Sequence, residues 1–328
     1  MTAPLITRML PADAEAIAEA VRVLKAGGLV AFPTETVYGL GADAGNGEAI
    51  ARLYAAKGRP TFNPLIAHVS GPAAARKLAR FDAAAERLAA AFWPGSLTLV
   101  LPKALGCPVA ELATAGLDSI AVRVPVHPVA LGILRGLKGA LVAPSANRSG
   151  HVSPTTAAHV LADLGGRIDL IIDGGAARAG IESTIVECLG ATVLLRPGAL
   201  PRKAIEHVLQ HKLHETPDAD AAPEAPRAPG MLKSHYAPRT PLRLDVSRVE
   251  PDEALLAFGP ALAEGVERTT KVLNLSAFSD LSTAASNLFS HLRTLDASGA
   301  RAIAVMPIPH EGLGEAINDR LRRAAAPR

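Results

Sequence analysis

Aromatic residues supply only 3% of the 328 positions, and cysteine occurs twice. The first scarcity leaves the core to Ala, Leu, Val and Ile and removes the ring platforms on which single-stranded nucleic acids stack. The second argues against a disulfide scaffold or a zinc cage, because Cys107 and Cys188 form no CxxC pair. No apolar run approaches the roughly twenty residues that a bilayer-spanning helix needs, and nothing resembling a secretory leader precedes the first helical pattern. A soluble cytoplasmic protein is expected. Thirty-four Lys and Arg against thirty-one Asp and Glu leave a net charge of +3, too little for a chain whose main work is coating a polyanion. The common fingerprints are missing too: there is no GxxxxGK[ST], no HExxH, no GxSxG and no GxGxxG in register after a strand.

What is present is apolar residue in quantity. With 49% hydrophobic and 20% charged residues the chain can bury a substantial core, and its length suits two domains. Ile17, Val21 and Leu24 recur at helical spacing over 13–26, stop at Gly27-Gly28 and give way to an apolar run at 29–32. A second helix is predicted over 48–57, ended by Gly58 with Pro60 barring continuation, and 65–69 reads as a strand. Further strands are predicted at 97–101, 120–124, 141–143, 170–172, 184–187 and 193–195, with helices around 128–138, 155–164 and 201–210. That alternation is an α/β layer, and a hairpin about Gly190 at its end makes the sheet mixed. Gly39-Leu-Gly41 follows a strand, but the third glycine falls one position late, so the segment reads as a tight turn without a phosphate.

Residues 215–230 contain four prolines and no large apolar side chain, the composition of a linker. Beyond it, apolar runs at 254–258, 272–275 and 302–306 alternate with helical patterns near 280–296 and 313–323, a smaller α/β unit. The expected division is 1–211, a linker over 212–240, and 241–328.

Three segments place polar groups where an apolar strand ends, a common location for sites in open α/β sheets. They are Phe32–Gly41, Lys57–Arg59 running on to Asn63 and His68, and Pro144–Asn147. Lys57 and Arg59 could hold phosphate oxygens through a point charge and a planar fork, or could simply serve the dipole at a helix C-terminus. Ser145 and Asn147 are equally at home as turn residues. His68, in an apolar strand, is either a satisfied core histidine or a ligand-facing one.

Taken jointly and in order, FPTETVYGLGADA (32–44), KGRPTFNPLIAHV (57–69), WPGSLTLVL (93–101), AVRVP (121–125), APSANRSGHVSPT (143–155), GIESTIV (180–186), LRPG (195–198) and PGMLKSHYAP (229–238) resemble the family variously called YrdC, YciO or Sua5. The resemblance is to its two-domain Sua5 type, the threonylcarbamoyl-AMP synthases, and covers roughly the first 240 residues. It implies a mixed, twisted open sheet flanked by helices, with a smaller Rossmann-like α/β domain after the linker. It also implies that L-threonine and bicarbonate form an N-carboxylate that attacks the α-phosphorus of ATP. Pyrophosphate leaves, and a downstream enzyme complex transfers the threonylcarbamoyl group to tRNA, which this chain meets only indirectly. Such chemistry rests on positioning and charge neutralisation, with Mg²⁺ beside the ATP, so the missing nucleophile motif is no obstacle.

By the same resemblance, Lys57, Arg59, Ser145 and Asn147 act on the phosphates and the reacting carbonate. Asn63, Ser119, Ser153 and Arg196 complete the ATP site. Thr36, His68, Arg123 and Ser183 take threonine, with the Ala143 backbone orienting it. Tyr236 folds from the linker over the nucleotide as part of a lid. Glu182, where many single-domain relatives carry proline, is left unassigned. The resemblance also leaves two alternatives: an RNA-binding module, disfavoured by the near-balanced charge, and a carbamoyltransferase-like domain, disfavoured by the lack of accompanying carbamoyl-phosphate-handling domains. No membrane role is expected.

Overall fold

The computed structural model describes residues 5–215, 228 and 235–327, so most of the expected linker at 212–240 lies outside the described residues. Eleven strands form one sheet: β1 (Arg8–Pro11), β2 (Val30–Phe32), β3 (Gly39–Asp43), β4 (Ile66–His68), β5 (Leu97–Pro102), β6 (Ser119–Arg123), β7 (Leu141–Val142), β8 (Leu170–Asp173), β9 (Thr184–Leu189), β10 (Ala191–Arg196) and β11 (His214–Glu215). Their order is β1-β8-β2-β3-β7-β4-β6-β5-β9-β10-β11, with parallel and antiparallel pairs intermixed. The β9/β10 hairpin about Gly190 is antiparallel, as its spacing predicts.

Local chemistry sets the helix that leads into the site. Asn46 caps Gly47–Lys57, its side chain accepting from the Glu48 and Ala49 amides. Gly58 stops the helix in the left-handed conformation at φ 60°, which glycine adopts without a Cβ penalty. Lys57 is therefore the last helical residue and Arg59 the first beyond the stop.

Strands at 8–11, 39–43, 214–215 and 242–243 differ from the sequence reading. Residues 8–11, in a segment broken by proline and charge, pair in parallel with β8. Gly39-Leu-Gly41 is not a turn but the start of β3, antiparallel to β2. The glycine is needed for packing: a Cβ on Gly41 would lie 2.7 Å from the Phe32 ring.

Alternation divides the faces of the central strands. Leu65, Ala67, Leu97, Leu99, Val122 and Val186 join a core with Leu53 of Gly47–Lys57 and Leu88 of Ala83–Phe92. Ile66, Val100, Ala121, Ile185 and Leu195 form a separate cluster that Ala228 completes.

The second sheet is wholly parallel, ordered β12 (Leu242–Arg243), β15 (Ile303–Val305), β13 (Ala254–Ala257), β14 (Lys271–Asn274). Helices Leu281–Asp296 and Leu313–Ala325 bury Leu288, Phe289, Leu292 and Ile317 against it. This core does not stop at the second sheet, because Val37, Val152, Ile181 and Tyr236 belong to the same cluster. Gly180, at φ +70°, permits the approach: a Cβ there would stand 2.5 Å from Ala285 and Ser286 backbone atoms.

Candidate active site

Register assembles the site across the sheet. His68 at the end of β4 pairs with Arg123 at the end of β6, and Arg123 pairs with Thr98 of β5. Thr98 faces Ile185 of β9, which opposes Arg196 of β10. One row therefore carries His68, Arg123, Thr98 and Arg196, with Ser183 just before β9 donating to or accepting from the Thr98 hydroxyl at 2.8 Å.

Backbone bonds clip two loops beside this row. Leu40 N donates to Pro144 O at 2.7 Å and Ala146 N to Tyr38 O at 2.8 Å, which joins the FPTETVYGL and PSAN segments. Ser149 N donates to Lys57 O at 2.8 Å, wrapping the PSAN loop around the helix end. Lys57 Nζ then donates to the carbonyls of Ser145, at 2.5 Å, and Asn147. Burial, and then Arg59, push the Lys57 ammonium well below its ordinary pKa. Arg59 donates from Nε to Asn63 O at 3.2 Å and from Nη2 to Pro64 O at 3.0 Å; burial lowers its pKa to about 10, so it stays charged at neutral pH.

A small cavity of about 50 Å³ lies over these elements. Thr36, Arg59, His68, Arg123, Ala143, Ser145, Ser183, Arg196 and Tyr236 all line it, together with Glu182 and His235. Lys57, Asn147 and Ser153 stand directly behind: the first two through the carbonyl clamp and Ser153 through a 2.5 Å bond from its hydroxyl to Glu182. Asn63 is buried beside Arg59. Ser119 is the residue not brought in. It shares a face of β6 with Ala121 and Arg123 but lies four positions, roughly 13 Å, from Arg123.

His68 Nδ1 is 3.1 Å from Ile66 O, and because a carbonyl only accepts, the proton sits on Nδ1 and Nε2 is an acceptor. Burial, then Arg123, lower this imidazole to about 3, so it is neutral at working pH. Two acidic groups reach the site, and both are tied. Glu35 pairs with Arg123, and Glu182 with Arg320, at 2.8 Å. Neither pairing was legible in the sequence, since each links positions far apart in the chain. Several buried polar atoms have no partner: Nδ2 and Oδ1 of Asn63, Oδ1 of Asn147, Nδ1 of His235, the Tyr236 hydroxyl and Nη2 of Arg320. Orphaned groups of this kind are costly unless a ligand satisfies them.

Comparison with known proteins gives the arrangement its context. A family model covering Sua5, YciO and YrdC, described as telomere recombination, matches residues 22–198, and one described as threonylcarbamoyl-AMP synthase, C-terminal domain, matches 200–326. The threonylcarbamoyl-AMP synthase of Bacillus subtilis is 39% identical over 98% of this chain and 96% of its own, and that of Pyrococcus abyssi 40% identical over 92% of each. The crystal structure of P. abyssi Sua5 complexed with L-threonine superposes with a TM-score of 0.87 at 37% identity, covering 98% of this chain and 97% of that one. The chain belongs to the Sua5, YciO and YrdC family, in its two-domain form, the threonylcarbamoyl-AMP synthases.

Proposed function

We propose that the cavity joins L-threonine, bicarbonate and ATP into threonylcarbamoyl-AMP and pyrophosphate, and that the residues gathered there divide the work. The observation that carries this reading is the set of orphaned buried polar atoms around a cavity that four cationic side chains, Lys57, Arg59, Arg123 and Arg196, line or back, with both acidic groups already paired. A polyanion and a small zwitterion are the ligands such a lining satisfies.

On this reading the threonine amine attacks the carbon of bicarbonate and water leaves, giving the N-carboxylate. One carboxylate oxygen then attacks the α-phosphorus, and the bond to the bridging oxygen breaks with its electron pair leaving on pyrophosphate. Arg123 takes the amino-acid carboxylate, while Thr36, His68 Nε2 and Ser183 meet the hydroxyl and amine, with the Ala143 backbone alongside. Lys57, Arg59, Ser145 and Asn147 neutralise the phosphates and hold the carbonate. An arriving triphosphate sets negative charge beside Lys57 and offsets the burial that lowers its pKa, so binding favours the charged ammonium. Asn63, Ser153 and Arg196 complete the nucleotide site, and Ser119 extends it along β6.

Mg²⁺ has no protein cage here: among the described residues no group of three or more His, Cys, Asp or Glu could hold an ion. An ion arriving with the triphosphate would be held mainly by phosphate oxygens and water.

The cavity is well short of the ~300 Å³ at which ligand pockets begin. His235 and Tyr236 must therefore lift for substrates to enter, and their return excludes water from a hydrolysable adenylate. The division into 1–211, a linker over 212–240 and 241–328 fits that role. The product passes to a transferase acting on tRNA.

The test is pyrophosphate release by the full chain with ATP, threonine and bicarbonate, omitting each in turn. Release that ignores the omission of threonine would overturn the reading. Binding of RNA that falls steeply with salt, with no binding of ATP, would favour the RNA-binding alternative.

A further inference from the structure

Arg320, in the C-terminal helix Leu313–Ala325, is completely buried yet belongs to the second unit, not to the sheet that carries the site. Its Nε donates to Oε2 of Glu182 at 2.8 Å and its Nη1 to Oδ2 of Asp319 at 2.6 Å. Asp319 is steadied in turn by Arg323, at 3.0 Å. The other oxygen of Glu182 takes the Ser153 hydroxyl at 2.5 Å. The Arg320 guanidinium also lies over the Tyr236 ring, 5.1 Å from its centroid, and Phe289 stacks on the same ring at 5.6 Å.

The polarity of this chain is its point. A buried carboxyl resists ionisation, but Arg320, followed by Arg196, overrides the burial and holds Glu182 below its ordinary pKa. An ionised carboxylate can only accept, so Ser153 must give its one hydroxyl proton to Glu182. Its lone pairs are then left for a ligand that donates, such as a ribose hydroxyl or an adenine amino group. Arg320 also cancels the negative charge that Glu182 would otherwise turn toward a triphosphate. Without Arg320, burial again works to raise the Glu182 carboxyl against Arg196 alone among the cations, and a protonated Glu182 would donate to Ser153 and reverse what Ser153 offers.

We propose that Arg320 is a positioning residue for nucleotide binding: acting through Glu182, it fixes Ser153 as an acceptor and makes the second unit part of the ATP site. The proposal rests on the reading of this cavity as the ATP site, and its test separates the two.

The test is a double-mutant cycle between Arg320→Met and Ser153→Ala in the full chain, read as the ATP dissociation constant by calorimetry. Arg320→Met should weaken ATP about tenfold and Ser153→Ala by a similar factor, and the double variant should be no weaker than Arg320→Met alone, a hydrogen bond's worth of binding lost once. Arg320→Lys keeps a cation beside Glu182 but loses the fork that also reaches Asp319 and the face over Tyr236, so its ATP affinity should fall between those of wild type and Arg320→Met. Additive losses, or an Arg320→Met protein that binds ATP normally, would overturn the proposal. If Arg320→Met shows no cooperative thermal transition, Glu182→Gln takes its place in the cycle with the same expectation, and additive losses there overturn the proposal equally. Wild-type protein that binds ATP but releases no pyrophosphate would count against the reaction alone, with the cycle still deciding the role of Arg320; wild-type protein that binds no ATP would overturn both.

Discussion

The Arg123 guanidinium rests on the carboxylate of Glu35, a largely buried ion pair between the end of β6 and the FPTET segment. Glu35 also accepts from Val126 N at 3.1 Å, and Arg123 Nε donates to Gly95 O at 3.2 Å, so the fork is aimed before any substrate arrives. Burial works to raise the Glu35 carboxyl, and Arg123 overrides it, leaving the group below its ordinary pKa.

Removing Arg123 should therefore do two separable things. Arg123→Ala should raise the KM for threonine by at least ~100-fold while the KM for ATP moves little, because a two-point carboxylate contact is lost. It should also cost ~2–3 kcal/mol of stability, since the largely buried Glu35 carboxylate keeps the Val126 amide but loses its cation. Denaturant unfolding of Glu35→Gln/Arg123→Met should recover much of that stability with no return of threonine affinity. An unchanged KM for threonine in Arg123→Ala would refute the carboxylate assignment.

Lys57→Ala and Arg59→Ala should each lower kcat by ~10²-fold or more, the scale seen when a transition-state donor is removed. Far-ultraviolet circular dichroism should stay that of the wild type, because neither side chain pairs with a buried acid that its loss would strand. Near-normal turnover in either variant would place the phosphates elsewhere.

His68 makes the fold acid-sensitive. Its pKa is about 3 in the folded protein against an ordinary 6.5, so between these values the unfolded chain binds a proton that the folded one refuses. Its contribution is complete above pH 6.5 and fades as the pH falls toward 3. Between pH 7 and pH 5 this amounts to about 2 kcal/mol. Urea titrations at both pH values should show His68→Gln losing less stability than wild type by about that amount; parallel losses would mean the ring is not buried neutral.

Gly198 explains the LRPG motif in steric terms. A Cβ there would stand 2.5 Å from Glu182 O, Ser183 C and Thr184 N, backbone atoms with nowhere to go. Gly198→Ala should displace the Glu182–Ser183 segment, costing ~1–3 kcal/mol and raising the KM for both threonine and ATP. A variant with wild-type stability and kinetics would show that this close packing is not needed.

The sequence made visible those features that depend on near neighbours. The helices at 14–25 and 281–296, the strands at 97–102 and 184–189, and the hairpin about Gly190 all follow from local periodicity and turn chemistry. β1 and β3 were hidden because Pro11 and the paired glycines look like breakers, and only the neighbouring strands β8 and β2 make them extended. The site divides the same way. Lys57, Arg59, Ser145 and Asn147 could be named from motifs, yet their meeting depends on the Lys57 clamp, which bridges about ninety positions. Glu35 and Arg320 carried no signal, because the significance of each lies wholly in a partner that the fold delivers.

The continuous apolar cluster that takes Val37, Val152 and Ile181 into the same core as Phe289 and Ile317 leaves the molecule without a seam. A fragment cut after residue 215 would keep the sequence motifs of catalysis but carry those three side chains as bare greasy surface, and would lose the ceiling over its own reaction chamber. Trimming this protein to its signature half is thus amputation of a wall, not removal of an accessory.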